Sequence, residues 1–170
     1  MIKELQLESN SVDKIIDKHK GMIYRLALSH TTNKTDAEDI MQEVFMRFLR
    51  AKPIFEDDEH EKAWFIRCAI NTAKSYHFSS WRRRTVLMPT EKIVCPVTQN
   101  YSECTTLSQA VFKLDSKKRM CIHLFYYEDF SVNKIAQVTG FNENTVRSHL
   151  KRAREKLRQM LGEKSEKEEF

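Results

Sequence analysis

The chain has 170 residues and a formal net charge of +5, from 29 Lys and Arg against 24 Asp and Glu. Apolar residues make up 41% of it, enough for a hydrophobic core, while 3 glycines and 3 prolines are too few for a β-sandwich, a collagen-like chain or a disordered linker protein. No apolar run approaches the roughly 18 residues that cross a membrane, and the N-terminus lacks the apolar segment of a secretory signal. The composition predicts a soluble, mildly basic and mostly helical protein.

The spacing of the cysteines indicates the cellular compartment of the protein and whether it binds a metal. Cys68, Cys95, Cys104 and Cys121 form no CxxC pair, and no two His or Cys lie at zinc-finger spacing. In a chain without an export signal this pattern favours reduced thiols in the cytosol. No metal or other cofactor is predicted.

A first helical domain is predicted over residues 1–84. Apolar residues at helical spacing from Val12 to Ala27 predict its first helix. Thr35 followed by Glu38 forms a capping box that opens a second helix, which Pro53 ends. One broad apolar face of that helix carries Ala37, Ile40, Met41, Val44, Phe45, Phe48 and Leu49.

The rest of the chain divides at changes of composition. An acidic loop is predicted from Phe55 to Lys62 and a third helix from Ala63 to about Trp81, ending in a run of arginines. Residues 85–106 show no apolar residues at regular helical spacing and are predicted to be a flexible linker. A second small helical domain follows over 107–162, and 163–170 form a charged tail.

The strongest motif is a helix-turn-helix from residue 131 onward. Ser131 can cap a short helix, Gly140 supplies the permissive backbone of a tight turn, and Asn142 can cap the next helix. Phe141 is expected to fill the space behind the turn. The inward positions of the short helix are Val132, Ile135, Ala136 and Val138.

The second helix of this motif has an apolar face and a basic face. Val146, Leu150, Ala153 and Leu157 recur at helical spacing and face the core. A basic stripe can neutralise phosphates, and polar residues in the first turns can reach base edges in a major groove. The predicted duplex-DNA residues are Asn142, Asn144, Thr145, Arg147, Ser148, Lys151, Arg152 and Arg154. His149 lies on the same helix, where it could approach a phosphate.

Two blocks of sequence resemble a known family. DAEDIMQEVFMRFL, with the acidic loop and AWFIRCAINTAKSYHFSSWRRR after it, resembles region 2 of the extracytoplasmic-function (ECF) sigma factors of bacterial RNA polymerase. The helix-turn-helix resembles region 4 of that family, and the resemblance runs from about residue 12 to 161 in the expected order. It implies an all-α fold of two small helical domains joined by a flexible linker, with the helix-turn-helix at the C-terminus.

The resemblance also implies sites and partners. Residues on the outer face of the second helix would bind core RNA polymerase: Asp36, Asp39, Gln42, Glu43, Met46 and Arg47. The acidic loop and third helix would capture and melt the −10 element, through Phe55, Asn71, Lys74, Ser75, Tyr76, Arg82 and Arg83. The basic helix would read the −35 duplex. An anti-sigma factor, often membrane-bound in this family, is a further expected partner of a cytoplasmic, nucleoid-associated protein.

Three other functions remain open at this point. A plain helix-turn-helix regulator explains residues 131–161 but leaves the first domain unexplained. A small helical enzyme would need convergent catalytic groups, and no nucleophile–base spacing, phosphate loop or metal set is found. An inhibitor of polymerase could use the same surfaces as a sigma factor, but it would abolish transcription instead of redirecting it.

Overall fold

The computed structural model describes residues 2–31, 33–83 and 106–165, all in helices or short connections with no strand among them. The all-α prediction is thereby confirmed. All but the last residue of the predicted 85–106 linker, and most of the 163–170 tail, lie outside the described residues. The helices are α1 (Ile2–Thr31), α2 (Lys34–Ala51), α3 (Asp58–Arg83), α4 (Thr106–Phe112), α5 (Ser116–Tyr126), α6 (Val132–Thr139) and α7 (Glu143–Ser165).

The first domain packs α1, α2 and α3 around an aromatic centre. Phe65 on α3 is fully buried, and its ring lies 4.5 Å from that of His19 and 5.2 Å from that of Phe48. The buried face of α2 carries Ala37, Ile40, Val44 and Phe48, as its periodicity predicts. Leu49, expected on that face, is 41% exposed, because it lies at the edge of the apolar stripe.

The start of α2 differs from the sequence-based prediction. The N-cap is Asn33, whose side-chain oxygen accepts hydrogen bonds from the backbone N–H groups of Thr35 at 2.9 Å and Asp36 at 3.4 Å. The predicted capping box of Thr35 and Glu38 is therefore wrong, because the helix begins at Lys34 and Thr35 already lies within its first turn. At the other end Lys52 adopts a left-handed conformation, with φ of 42°, before Pro53.

The acidic segment is also more helical than predicted. Helix α3 begins at Asp58, five residues before the expected start, so only the first part of the acidic run is a loop. Asp57 accepts a hydrogen bond from the backbone N–H of His60 at 2.6 Å, and the acids Asp58, Glu59 and Glu61 occupy the first turn. Negative charge at this end is favoured by the helix dipole, which explains the acidic run without any ligand.

Glu61 connects α1 to α3 at the edge of the first core. Its carboxylate lies 2.8 Å from Lys18 Nζ and 2.7 Å from His19 Nε2. Burial alone would raise the pKa of Glu61, but the hydrogen bonds from Lys18 and His19 outweigh it and hold this pKa below its usual value of 4.5. A lowered folded-state pKa means that the ionised carboxylate stabilises the fold above that value.

We therefore expect stability to fall as pH drops from about 5 to about 3, as Glu61 becomes protonated. Urea unfolding of the full chain across this range should give a steeper loss for the natural sequence than for Glu61→Gln. The Gln variant retains every other acid, so the difference between the two slopes isolates Glu61. Equal slopes would contradict the prediction.

The second domain is built on α5 and the helix-turn-helix. Ser131 caps α6 by accepting a hydrogen bond from the N–H of Lys134, and Gly140 ends it with φ of 75°. The turn is closed by the Gly140 N–H, which donates to the Ala136 carbonyl at 3.0 Å. Leu150 on α7 is buried against this unit. These features match the predicted motif.

The two domains contact each other. His30 on α1 lies against α5, with Nε2 3.1 Å from the Met120 sulfur and Nδ1 3.2 Å from the Ser116 hydroxyl. The buried apolar residues of both domains form one continuous cluster. No helix among the residues described is long and apolar enough to cross a membrane.

Candidate nucleic-acid interface

Helix α7 presents the predicted duplex-DNA residues to solvent. All eight of them are exposed, whereas Val146, Leu150 and Ala153 on the opposite side are buried. The exposed and buried residues lie on different sides of α7 because the helical period turns every third or fourth residue toward the core. The cations Arg147, Lys151, Arg154 and Arg158 line one shallow groove together with Glu155.

A polar network holds Arg147 at the start of this surface. Its guanidinium lies 2.7 Å from Glu143 Oε2 and 3.3 Å from Asn144 Oδ1. Glu143 also accepts a hydrogen bond from Asn133 at 2.8 Å, and this bond, with the one from Arg147, keeps the pKa of Glu143 below its usual range. A fixed guanidinium suits bidentate contact with a guanine edge or a phosphate. Asn142 caps the helix, so its side-chain oxygen is already occupied by Asn144 N–H at 2.7 Å.

His149 is half-buried on α7, where it contacts Phe141. Its ring lies 5.6 Å from that of Phe141, and its Nδ1 is buried with no hydrogen-bond partner among the described residues. Burial is also the main reason why the pKa of His149 lies below its usual value. Burial of Nδ1 removes one of the two ring nitrogens from contact with a phosphate, and the approach of the other, Nε2, stays a prediction.

A second polar surface lies on α3. Asn71, Lys74 and Ser75, all predicted −10 residues, are exposed on adjoining turns. Arg67 is exposed one turn before Asn71 and belongs to the same row, which sequence reasoning missed although the spacing of four residues could have indicated it. Arg82 lies in the last turn of α3 beside Arg83, and the side chains of both are outside the described part.

Phe55 is held by neighbouring rings. It is half-buried, with its ring 6.0 Å from that of Trp64 and 6.5 Å from that of Phe48. Ile54, its neighbour in the loop, is 92% exposed. The loop before α3 therefore presents one anchored aromatic and one projecting aliphatic side chain, next to the exposed row on α3.

Tyr76 joins the α3 surface to α2. Its hydroxyl donates toward two carboxylates, at 2.9 Å from Asp39 Oδ2 and 3.2 Å from Asp36 Oδ1. Burial, the hydrogen bond to Asp39 and the nearby negative charge raise the pKa of Tyr76 to about 12, so it stays a neutral donor. Two residues predicted to bind polymerase are thus fixed by one predicted to bind DNA.

The outer face of α2 is mixed in character. Asp39, Gln42 and Met46 are exposed, while the pair of Glu43 and Arg47 lies 2.8 Å apart across one turn. Met46 is 44% exposed and adjoins Leu49, at 41%. Apolar side chains inside a charged rim are typical of a protein–protein contact.

The fold and these surfaces define a two-domain helical DNA-binding protein with a C-terminal helix-turn-helix. Residues 15–83 match sigma-70 region 2, and residues 105–157 match sigma-70 region 4. The chain is 31% identical over 146 residues to the RNA polymerase sigma factor SigV of Bacillus subtilis, covering 86% of this chain and 88% of that protein. It is 28% identical over 156 residues to the ECF sigma factor SigL of Mycobacterium tuberculosis, covering 88% of each. The chain therefore belongs to the ECF sigma factors of the sigma-70 family.

Solved structures show the same fold. The sigma factor RpoE of Bartonella quintana, in complex with the anti-sigma factor NepR, has a TM-score of 0.72 at 22% identity, over 88% of this chain and 96% of that one. CnrH in complex with the cytosolic domain of CnrY has a TM-score of 0.61 at 22% identity, covering 91% and 89%.

Proposed function

We propose that this chain brings core RNA polymerase to specific promoters and opens them, without catalysing a reaction of its own. The observation that carries the proposal is the presence, in one chain and in family order, of a mixed protein-binding face on α2, a polar row on α3 and a basic face on α7. A plain DNA-binding regulator would need only the last of these.

Each surface has a distinct part in the proposal. The α2 face, Asp36 to Arg47 with Leu49 added, docks on core polymerase. The α7 face reads the −35 element as duplex, since a helix fits the major groove. The α3 face, with Phe55 and the row from Arg67 to Ser75, holds unpaired bases of the −10 element. The α7 and α3 faces each bind DNA weakly. Because both lie on one chain, they select promoters by the sequences of the two elements and by the spacing between them.

Run-off transcription tests the proposal directly. Purified bacterial core polymerase is supplied with fragments of the chain's own genome, with and without the protein. We expect discrete new start sites that appear only when the protein is added. A chain that binds core polymerase and silences it is instead an inhibitor, and a chain that binds DNA but no polymerase is a simple regulator.

Asn71→Ala should separate promoter opening from duplex binding. The side-chain amide of Asn71 is exposed and offers both a donor and an acceptor to an unpaired base. Losing one such hydrogen bond should reduce opening by about tenfold. Permanganate reactivity of unpaired thymines measures opening, while affinity for a −35 duplex should not change. Asp13→Ala, on the exposed side of α1, is the control; loss of duplex binding in Asn71→Ala would contradict the assignment.

The family also suggests a protein inhibitor and a compartment. The neighbour RpoE was solved with the anti-sigma factor NepR, and CnrH was solved with the cytosolic domain of CnrY. We propose that this chain acts in the cytoplasm and has such a partner, which would cover the α2 face. If so, that partner and core polymerase should compete for binding to this chain.

A further inference from the structure

The duplex-reading face of α7 begins with an acid. Glu143 is the first residue of the helix and is half-buried, directly before exposed residues that we assign to the −35 element. A carboxylate repels the phosphates of DNA, so an acid at this place lowers the affinity of α7 for any duplex. The helix dipole favours an acid in the first turn, which accounts for the charge of Glu143 but not for the contacts of its side chain.

Both carboxylate oxygens of Glu143 accept hydrogen bonds. Oε2 accepts from the Arg147 guanidinium on the same helix at 2.7 Å, and Oε1 accepts from Asn133 Nδ2 on α6 at 2.8 Å. Asn133 is itself held by Gln137, whose side-chain amide donates to Asn133 Oδ1 at 3.0 Å. The carboxylate of Glu143 therefore ties Arg147 to α6, across the turn of the helix-turn-helix.

This tie restricts the guanidinium of Arg147. An unrestrained arginine at an exposed helix position can reach a phosphate or several base edges, so it adds affinity with little base preference. The Arg147 side chain is 58% exposed, yet its Nη2 donates to Glu143 and its Nη1 donates to Asn144 Oδ1 at 3.3 Å. Its remaining N–H donors are left for DNA in a fixed orientation.

The charge of Glu143 acts in the same direction as its hydrogen bonds. The hydrogen bonds from Asn133 and Arg147 hold the pKa of Glu143 below its usual value of 4.5, so the carboxylate is ionised at neutral pH. Its charge offsets that of Arg147 toward a phosphate, while the free N–H donors of Arg147 can still bond to a base edge. Lys151 has no carboxylate partner among the described residues, so its full charge is available for phosphates.

We propose that Glu143 is a positioning residue that sets the base preference of the −35 reader. It aligns Arg147 for one base edge, and its charge penalises contacts with phosphates at other sites. The carboxylate thereby lowers overall affinity and raises selectivity, because specificity is a difference between two affinities. The inference rests on the proposed reading of the −35 duplex by α7, and it requires no direct contact between Glu143 and DNA.

Glu143→Ala tests both effects. Fluorescence anisotropy compares the full chain on the duplex that it selects from a random pool, on single-base variants of that duplex, and on an unrelated duplex. Affinity for the unrelated duplex should rise about threefold and its salt slope should steepen by about 1, because Arg147 is released to contact a phosphate. Base preference at the position that Arg147→Ala identifies should fall about fivefold. A helix merely destabilised by the substitution would instead bind every duplex less tightly.

Further variants separate charge from position. Glu155→Ala removes an acid from the groove that Arg147 and Lys151 line, so it should raise affinity for the unrelated duplex and leave base preference intact. Asn133→Ala keeps the charge of Glu143 but frees its carboxylate from α6, so base preference should fall about twofold with no gain in affinity for the unrelated duplex. In the Arg147→Ala background, Glu143→Ala should not change base preference further.

The outcomes separate the positioning role from the proposed function. Weaker binding of all duplexes by Glu143→Ala, or an unaltered base preference, overturns the positioning role. An equal loss of preference in Glu155→Ala also overturns it, because loss of an acid from α7 would then explain the effect. In each of these cases a chain that directs initiation in the run-off assay keeps its proposed function. A chain that gives no initiation with core polymerase overturns that function, whatever the effect of Glu143→Ala on duplex binding.

Discussion

We expect Arg147→Ala to weaken binding to the −35 duplex by about 1–3 kcal/mol, or roughly five- to 150-fold, and to relax base preference at one position. Arg147 is exposed near the start of α7 and is held in place by Glu143 and Asn144, so its guanidinium is aligned before DNA arrives. Such a fork can donate two hydrogen bonds to one guanine. Fluorescence anisotropy with the selected duplex and single-base variants of it measures both effects.

Lys151→Ala provides the contrast on the same helix. The Lys151 amine lies one turn further along the groove that Arg147 begins, where phosphate contact is expected. Its loss should weaken all duplexes alike and reduce the slope of log affinity against log salt by about 1. Arg25→Ala removes one charge from exposed α1 and should change neither quantity. If Arg25→Ala weakened binding as much as Arg147→Ala, net charge would account for the effect instead of position.

The helix-turn-helix was predictable because its signals are local. Ser131, Gly140 and Asn142 perform the roles that their chemistry favours, and the apolar spacing on α7 turns its basic residues outward. Helix ends were harder to predict. Asn33 and Thr35 are both good N-caps by composition, and only the extended backbone at Asn33 decides between them.

The contacts between the domains could not have been predicted from the sequence. Lys62, Lys74 and Lys134 resemble any other exposed lysine in a helical pattern, and their partners Glu128, Thr139 and Glu59 all lie more than 60 residues away. One of these partners is a backbone carbonyl, that of Thr139, whose availability depends on the turn at Gly140. The spacing of residue types along the sequence does not indicate a contact between a lysine and a distant backbone carbonyl.

Met46→Asp and Leu49→Asp should each weaken core polymerase binding by at least about thirtyfold, as expected for an apolar anchor at the centre of an interface. Both side chains are 41–44% exposed on the outer face of α2 and lie one turn apart. A carboxylate at either position would have to be desolvated against the partner without a matching cation. Because neither side chain is buried in the first core, the chain should keep its thermal stability. Binding to immobilised core polymerase, followed with a labelled chain, measures the loss.

Ile54→Asp is the matched control for this pair. Ile54 is 92% exposed, so the same substitution removes an even more accessible apolar side chain, but it lies in the loop before α3 and outside the α2 face. Polymerase binding should be unchanged in this variant and lost only in the two α2 variants. Equal weakening by all three substitutions would mean that added negative charge, and not the α2 face, governs association. Loss restricted to Met46 and Leu49 would extend the predicted interface by one residue, since Leu49 is exposed where its periodicity suggested burial.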